Sequence, residues 1–481
     1  QVRLEMGESV PLTSDDVYLV NGLLDLGALG HVALPPDDSL RYAPLHPSDP
    51  VGPGTTMFEA ISASDLLVHH PFESFAGTVV RFIDEAASDP DVTTIRMTLY
   101  RVGDDSPIAD ALRRAAAAGK QVYAFVELRA RFDEERNVKW VRALEKAGVH
   151  VVYGLVGLKT HAKAALVVRR EGARFRSYVH VGTGNYNART GLAYTDLSLF
   201  TCDPGIATEV GELFNSLTGS SAPLERRERR CMIAPAGMLL GLVELIEREA
   251  AHARAGRPSA IRIKVTGLSD EEIVTALERA AAEGVPVDLV VRGICTLRPA
   301  PAGEPGDIRI VAGTGRFLEH SRIYHFENGG APLYFIGSAD LRPRNLRRRV
   351  ELLAPVASEA GRQRLDMLLS LYIEDPTGWD LGSDGTYTQR TVDGVGVQER
   401  LVRWEKQPDR ILLRSLTPEA YADDSLPIAT SVGKVISVPP PATAFTTPAA
   451  RAASAAMPLA QNSALGPRSG WARKVLMRGR S

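Results

Sequence analysis

The chain has 481 residues, a length that allows about three domains, and it carries 56 basic and 58 acidic side chains. This near balance gives no global field of the kind that attracts nucleic acids or membranes, although the segment from Ser425 to the end has seven Lys or Arg and no acid. Three widely spaced cysteines without a Cys-x-x-Cys pair predict neither a disulfide scaffold nor a zinc site, and no apolar run approaches the ~20 residues of a membrane span.

The chain changes character at Asp65. Residues 1–64 are rich in proline, which breaks long elements. From there onward the apolar patterns predict alternating elements: helix 74–87, strand 94–100, helix 108–118 and strand 121–128. Arg101 and Arg131 follow the carboxyl ends of the two strands, where open α/β sheets place their ligands, so we interpret both as phosphate clamps. An arginine at a strand end is more often a surface ion-pair partner, and three acids follow Arg131 closely.

The next stretch combines a nucleophile with a cation. His161 and Lys163 are two places apart at the start of an alternating apolar run, which puts both side chains on one face of a strand. An imidazole can carry a phosphoryl group, and an ammonium can neutralise the oxygens of the group that is attacked. A bare His-x-Lys is more often a surface pair, so this pattern indicates a phosphoryl-transfer site only if a second copy is present.

Polar residues follow the His161 strand. Residues 182–184, Gly-Thr-Gly, could present backbone N–H groups to phosphate, although a lone Gly-x-Gly usually marks a turn. Asn185 and Asn187 offer donors that need no charge, so they are candidate phosphate ligands.

A second copy of the pattern lies downstream, with His320 in the place of His161 and Arg322 in the place of Lys163. The corresponding segments are 94–100 and 261–268, 111–119 and 276–284, 121–128 and 286–292, and 182–184 and 337–339. Two halves of about equal length with one histidine each suggest an internal pseudo-dyad that brings both histidines to a shared cleft. Ala-rich helices can repeat by accident, but the matching positions of the histidines argue against that alternative.

With these motifs in this order, the chain resembles the bacterial polyphosphate kinases, whose catalytic part is similar to the phospholipase D superfamily fold. The resemblance runs from about Asp65 to about Arg390. It rests on the segments 65–72, 98–101, 126–135, 157–163, 182–187, 318–320 and 326–330.

The fold that the resemblance implies is α/β, with two phospholipase D-like halves that are related by internal duplication and face a shared active-site cleft. A remnant of a head domain and a disordered C-terminal tail would complete the chain. The implied domains are the end of the head domain at 1–64, the first catalytic half at 65–235, the second at 236–390 and the low-complexity tail at 391–481.

The resemblance also implies an activity: reversible transfer of the terminal phosphate of ATP to long-chain inorganic polyphosphate. His161 would be the phosphohistidine nucleophile, with Lys163, His320 and Asp196 as further catalytic residues. A carboxylate such as Asp196 that hydrogen-bonds Nδ1 of His161 would leave Nε2 as the nucleophile, while a strand-end cap is the alternative role.

The resemblance also implies a set of residues that bind the nucleotide, magnesium and phosphate. Its members are Tyr194, Arg292 and His320 for ATP, Arg101 and Arg131 for a magnesium-phosphate site, and Arg322, Asn185 and Asn187 as further candidate phosphate ligands. A guanidinium has no lone pair to offer a metal, so we interpret Arg101 and Arg131 as ligands of the phosphates that carry Mg²⁺.

The implied partners are ATP or ADP and inorganic polyphosphate, without specific nucleic acid, in a cytoplasmic homo-oligomer with at most peripheral contact with the inner face of the membrane. The family's N-terminal helical domain, which supplies an asparagine to the adenine pocket, is expected to be missing, since the chain starts on Gln1. Two alternatives remain. One is a phospholipase D-type phosphodiesterase, which Arg322 and the long 131–135 motif disfavour, and the other is an inactive polyanion-binding fragment.

Overall fold

The computed structural model describes residues 42–100, 106–127, 134–155, 157–218, 230–301, 306–391 and 393–404. Two β-sheets organise this part of the chain, one for each half that the sequence predicts. Arg101 and Arg131, two of the predicted phosphate ligands, lie outside the described residues.

The first half alternates strands with helices. In chain order its elements are α1 (Met57–Ala63), β1 (Leu66–His70), a helical segment Ala76–Val80 that leads into α2 (Arg81–Ser88), β2 (Val92–Leu99), α3 (Pro107–Ala117), β3 (Gln121–Val126), α4 (Glu134–Lys146), β4 (His150–Val152), β5 (Lys159–Thr160), β6 (Ala164–Glu171), β7 (Arg174–Gly182), a 3-10 turn Thr190–Leu192, β8 (Tyr194–Thr201) and α5 (Pro204–Leu217). The strand order is β1-β8-β7-β6-β2-β3-β4, in which β2, β3 and β4 run parallel.

Local sequence signals explain the limits of these elements, as α3 illustrates. The Ser106 hydroxyl accepts a hydrogen bond from the backbone N–H of Ala109, and Pro107 occupies the first turn, where its missing N–H costs nothing. Gly119 follows the helix with φ +85°, a conformation that glycine adopts without strain. The helix predicted between Pro107 and Gly119 is therefore confirmed.

The second half has the same alternation. Its elements are β9 (Met232–Ala234), α6 (Met238–Arg254), β10 (Ile261–Val265), α7 (Glu271–Ala282), β11 (Val287–Val291), β12 (Ile308–Ala312), β13 (Leu318–Glu319), β14 (Ile323–Phe326), a 3-10 turn Asn328–Gly330, β15 (Leu333–Gly337), α8 (Pro343–Arg348), β16 (Arg349–Pro355), α9 (Glu359–Ile373), β17 (Trp379–Leu381), β18 (Tyr387–Gln389) and α10 (Val397–Trp404). The strand order is β18-β17-β12-β11-β10-β14-β15-β16-β5, and β9 pairs with β16.

The two sheets share one topology. The order β8-β7-β6-β2-β3-β4 in the first half corresponds to β16-β15-β14-β10-β11-β12 in the second, with parallel and antiparallel pairs at the same places. The prediction of an α/β fold built from two duplicated halves is therefore confirmed.

Two short strands cross from one half to the other. Strand β5 belongs to the first half by sequence but pairs parallel with β16 of the second. Strand β13 of the second half pairs parallel with β8 of the first. Because His161 follows β5 and His320 follows β13, each histidine is presented by a strand that extends the sheet of the opposite half.

The surface between the halves is a continuous apolar core. One cluster contains buried side chains of both halves, such as Leu197 and Val179 with Ile336 and Leu369, and Phe72 meets Phe317 edge to face at 5.6 Å. Each buried side chain of this kind stabilises the fold by about 1.5–3 kcal/mol. The halves are thus parts of one folded unit, which fixes the two histidines relative to each other.

Helix α10 lies within residues 391–481, for which the sequence predicts a disordered tail. Its buried side chains Val397, Leu401 and Val402 pack into the same cluster between the halves. The ordered part therefore reaches at least residue 404, and the predicted boundary at 390 is wrong. Within the described ranges, no helix has the length and apolar character that crossing a bilayer requires.

Candidate active site

The backbone around His161 is held by the opposite half. The N–H groups of His161 and Ala162 both donate to the carbonyl oxygen of Val350 at 2.9 Å. The Glu127 carboxylate accepts the N–H of Thr160 at 3.0 Å from the first half. The side chain of His161 is 12% exposed.

Glu351 orients the ring of His161. Its Oε2 lies 2.8 Å from Nδ1, and the carboxylate is fully buried. The Ser338 hydroxyl donates to the same oxygen at 2.5 Å, and the Asn345 amide donates to Oε1 at 2.6 Å. A carboxylate held in this way keeps the proton on Nδ1 and leaves the lone pair of Nε2 exposed.

Electrostatics favour the neutral imidazole. Burial lowers the pKa of His161 well below its ordinary range, and the positive charges of Lys163 and Arg349 lower it further. Burial also raises the pKa of Glu351 to about 7, against the opposing effect of Lys163. The site therefore supplies an unprotonated nitrogen nucleophile at neutral pH, beside a carboxyl group that can share the proton on Nδ1.

His320 has the same arrangement with the halves exchanged. Its Nδ1 lies 2.8 Å from Oδ1 of Asp196, which also accepts the Thr183 hydroxyl at 2.6 Å. Burial lowers the pKa of His320, and Arg322 lowers it further. The interpretation that Asp196 orients His161 is therefore wrong, since Asp196 orients His320 and Glu351 orients His161.

The crossing strands explain this exchange of partners. In the β5–β16 pair, Thr160 lies opposite Val350, so the next residues along each strand, His161 and Glu351, come together. In the β13–β8 pair, Glu319 lies opposite Thr195, which brings the following residue of each strand together in the same way. Each of these two carboxylates therefore orients the histidine of the other half.

Two buried cations flank the histidines. Lys163 donates to the carbonyl of His161 at 2.5 Å and lies over the ring of Tyr100 at 5.7 Å, while burial lowers the pKa of Lys163 to about 7. Arg322 donates to the carbonyl of His320 at 2.7 Å and pairs with Asp340 at 3.1 Å. Both predicted cations thus lie in the site.

Arg322 has an acidic partner, Asp340, within its own half of the chain. Asp340 holds Arg322 through Nε and also accepts from the N–H and the hydroxyl of Thr266. The matching position in the first half is Asn185, a neutral amide. The side of the site around Lys163 and His161 therefore has a neutral amide where the side around Arg322 has a carboxylate.

The predicted nucleotide ligands lie around His320. The ring of Tyr194 is 5.3 Å from the His320 ring, between centroids. Arg292 is half-buried just beyond β11. Burial lowers the pKa of Arg292, and the nearby charge of Arg322 lowers it further. Asp340, Glu319 and Tyr194 oppose that shift. Tyr194 therefore lies against His320, and Arg292 is close enough to Tyr194 and Arg322 to interact with them electrostatically.

The segment after β7 differs from its prediction. The N–H of Gly182 donates to the carbonyl of Lys163 and the N–H of Thr183 donates to that of Leu197, so neither is available to phosphate. A Cβ at Gly184 would lie 2.2 Å from Oδ2 of Asp196, so this glycine makes room for the carboxylate. The phosphate-nest interpretation is wrong for the first two N–H groups.

The two asparagines have separate surroundings. The Asn187 side chain accepts from the N–H groups of Arg189 at 3.0 Å and Thr190 at 3.1 Å, which stabilises the turn before β8. The Oδ1 atom of Asn185 is buried and has no hydrogen-bond partner among the described residues. Phosphate binding by either side chain stays a prediction.

Sequence reasoning missed Glu351, although a signal existed. Asp196 comes fourteen residues after Gly182, and Glu351 comes fourteen residues after Gly337. Ser338 and Thr183 occupy matching places and both donate to these carboxylates. Extending the duplicated alignment by one strand would have identified the second carboxylate.

Comparison with known proteins places this site in a family. Residues 56–223 match the family described as Polyphosphate kinase C-terminal domain 1, and residues 231–399 match Polyphosphate kinase C-terminal domain 2. The Polyphosphate kinase of Streptomyces coelicolor is 46% identical over 428 residues, which cover 83% of this chain and 57% of the relative. The Polyphosphate kinase of Parasynechococcus marenigrum is 50% identical over 354 residues, which cover 73% of this chain and 49% of the relative.

A solved structure also shows similarity to a polyphosphate kinase. The polyphosphate kinase of Porphyromonas gingivalis matches with a TM-score of 0.68 and 34% sequence identity, over 79% of this chain and 62% of that chain. The chain spans about half the length of the curated relatives that it matches.

Proposed function

The chain belongs to the polyphosphate kinase family, and we propose that it reversibly transfers the terminal phosphoryl group of ATP to inorganic polyphosphate through a phosphohistidine at His161. The observation that carries this proposal is the hydrogen bond between Nδ1 of His161 and the buried Glu351 carboxylate. It leaves Nε2 as the only ring nitrogen with an available lone pair.

The first half-reaction forms one bond and breaks one. The Nε2 lone pair attacks the γ-phosphorus as the bond from that phosphorus to the bridging oxygen breaks, and ADP leaves with that electron pair. The ring then carries phosphorus on Nε2 and hydrogen on Nδ1, so it gains positive charge. Glu351, whose pKa burial raises to about 7, stabilises this charge or takes the proton.

The second half-reaction transfers the phosphoryl group from His161 to polyphosphate. An oxygen of the terminal phosphate attacks the phosphorus, the N–P bond breaks, and its electron pair returns to Nε2 of His161. Glu351 restores the starting tautomer. In both steps the transferring group carries negative charge on its outer oxygens, and the buried Lys163 beside His161 stabilises it without solvent reorganisation.

Magnesium fits this site through the substrate. The carboxylates of Glu351, Asp196 and Asp340 already accept hydrogen bonds from the site's own side chains. Within the described part of the chain, no group of three or more His, Cys, Asp or Glu side chains could hold a metal ion. Mg²⁺ commonly binds through nucleotide phosphates, where it would neutralise their charge, and Arg101 and Arg131 are proposed to bind those phosphates.

The nucleotide side of the proposal involves the second histidine. Tyr194 and Arg292 would contact ATP, and His320 would bind the nucleotide or manage a proton, oriented by Asp196. The proposal includes a cytoplasmic homo-oligomer.

Phosphate labelling tests the nucleophile. Incubation with γ-labelled ATP and Mg²⁺ should leave label on the protein that is labile in acid and stable in base, because phosphoramidates hydrolyse in acid. We expect His161→Ala to lose this label. The matched control is His150→Ala, which changes an exposed histidine stacked on Tyr123 away from the site and should keep the label. Label of the same kind in His161→Ala would refute the assignment.

A further inference from the structure

The two histidine-bearing strands are anchored by different means. The strand before His161 is held by a backbone acceptor, the carbonyl of Val350. At the matching position of the other half stands Thr195, and the N–H of His320 donates to its hydroxyl at 3.2 Å. The backbone of His320 therefore depends on a side chain whose own position must be fixed.

Glu319 fixes that side chain. The Thr195 hydroxyl donates to Oε2 of Glu319 at 2.8 Å, and Nζ of Lys264 lies 2.8 Å from the same oxygen. Both members of the Lys264–Glu319 pair are almost completely buried. Lys264 also donates to the Ser321 hydroxyl at 2.7 Å and lies 4.5 Å over the ring of Tyr372. A buried carboxylate between Thr195 and Lys264 has one oxygen left to satisfy.

Gln398 of helix α10 satisfies it. Its Nε2 donates to Oε1 of Glu319 at 2.5 Å and to the carbonyl of Phe317 at 2.9 Å, while its Oε1 accepts the N–H of Phe317 at 2.7 Å. The side chain is 6% exposed, and a Cβ at Gly315 would lie 2.5 Å from its oxygen. One amide thus binds the backbone and the side chain of the segment that leads into His320.

We propose that Gln398, acting with Glu319 and Thr195, positions His320 for phosphoryl transfer. The catalytic consequence rests on the proposed function, whereas the positioning itself does not. Without Gln398, one oxygen of Glu319 and both polar groups of the Phe317 backbone lose buried partners, and the full desolvation cost of such groups favours a shift of the segment. That shift would carry His320 away from Asp196 in the opposite half.

The test uses Gln398→Met in the full chain, because methionine keeps the length of the side chain and removes its hydrogen bonds. Histidine ¹⁵N NMR, assigned with His161→Ala and His320→Ala, reports the tautomer and pKa of each ring. We expect the His320 signals to shift and those of His161 to stay unchanged. In a kinase assay kcat should fall roughly tenfold, which is the lower end of the loss seen when a hydrogen-bond partner that orients a metal-binding histidine is removed.

The matched control is Leu401→Ala on the same helix. Leu401 is buried in the apolar cluster, so this variant should lower the melting temperature but leave both histidine spectra and kcat unchanged. If Gln398→Met fails to fold, Thr195→Val replaces it, since valine is the natural residue at the matching position 350. The same selective shift of His320 is expected.

Unchanged His320 signals in the folded variant would overturn the proposal, and so would an equal shift in Leu401→Ala. A shift of His320 with unchanged kcat would overturn the catalytic consequence. If the wild-type chain shows no phosphotransfer, the proposed function fails while the NMR comparison still decides the positioning.

Discussion

Replacing Glu351 by Gln tests how strongly the carboxylate of one half activates the histidine of the other. The variant keeps the size of the side chain and removes its charge. In the wild type the fully buried carboxylate accepts Nδ1–H of His161 at 2.8 Å. A hydrogen bond to a charged group contributes about 1.5–3 kcal/mol, and 1.36 kcal/mol corresponds to tenfold in rate, so we expect phosphorylation of His161 to slow by about 10- to 150-fold.

The surroundings of Glu351 can accept an amide. The amide oxygen of glutamine can keep both bonds that Oε2 accepts, from Nδ1–H of His161 and from the Ser338 hydroxyl. The Asn345 amide can flip, because its Oδ1 is buried without a hydrogen-bond partner among the described residues. The variant should therefore fold, and its loss of rate should report the missing charge.

The assay is a rapid-quench, single-turnover measurement of protein labelling with γ-labelled ATP, with thermal unfolding as the check on folding. Asp196→Asn is the matched control, because it makes the same change beside His320. We expect it to slow labelling of His161 less than Glu351→Gln does. Labelling at the wild-type rate in Glu351→Gln, or an equal loss in both variants, would refute the reasoning.

Three further predictions concern single residues. Gly184→Ala should destabilise the fold by about 1–3 kcal/mol, seen in urea unfolding, because its Cβ would lie 2.2 Å from Oδ2 of Asp196. Burial lowers the pKa of Lys163 from 10.5 to about 7, so the unfolded chain binds the extra proton between these values and stability rises with pH there. From pH 7 to pH 9 this rise should be about 2 kcal/mol and should be absent in Lys163→Met; the same slope in both proteins would contradict it. Arg101→Lys and Arg131→Lys keep the charge but lose the bidentate fork, so each should cost about 1–3 kcal/mol in kcat/KM, and full activity in both would show that these arginines are structural.

Much of the fold could be predicted from the sequence because its signals are local. Pro107 and Gly119 bound a helix through their own backbone preferences, and in β2 the alternating apolar residues Ile95, Met97 and Leu99 form one buried face. The duplication was readable for the same reason, since corresponding segments recur in the same order around His161 and His320. Lys163 and Arg322 were found as their neighbours in sequence.

The site's partners could not be read in this way. Sequence spacing places Asp196 nearer to His161 than to His320, yet the pairing runs the other way, because β13 joins β8 and β5 joins β16. Glu351 is 190 residues from His161 along the chain, and nothing local marks a carboxylate for a histidine at that distance. Gln398 stands in a region that composition assigned to a disordered tail.

By itself, the sequence determined which side chains of this protein can do chemistry: two histidines, two cations and the strands that carry them, because each is specified by residues within a few positions. Only the tertiary structure decided which carboxylate holds which histidine and that a glutamine of the last described helix supports His320. Those pairings depend on two dipeptide strands that cross between sheets. Strands so short carry almost no pattern of their own, and the common apolar core between the halves determines where they lie.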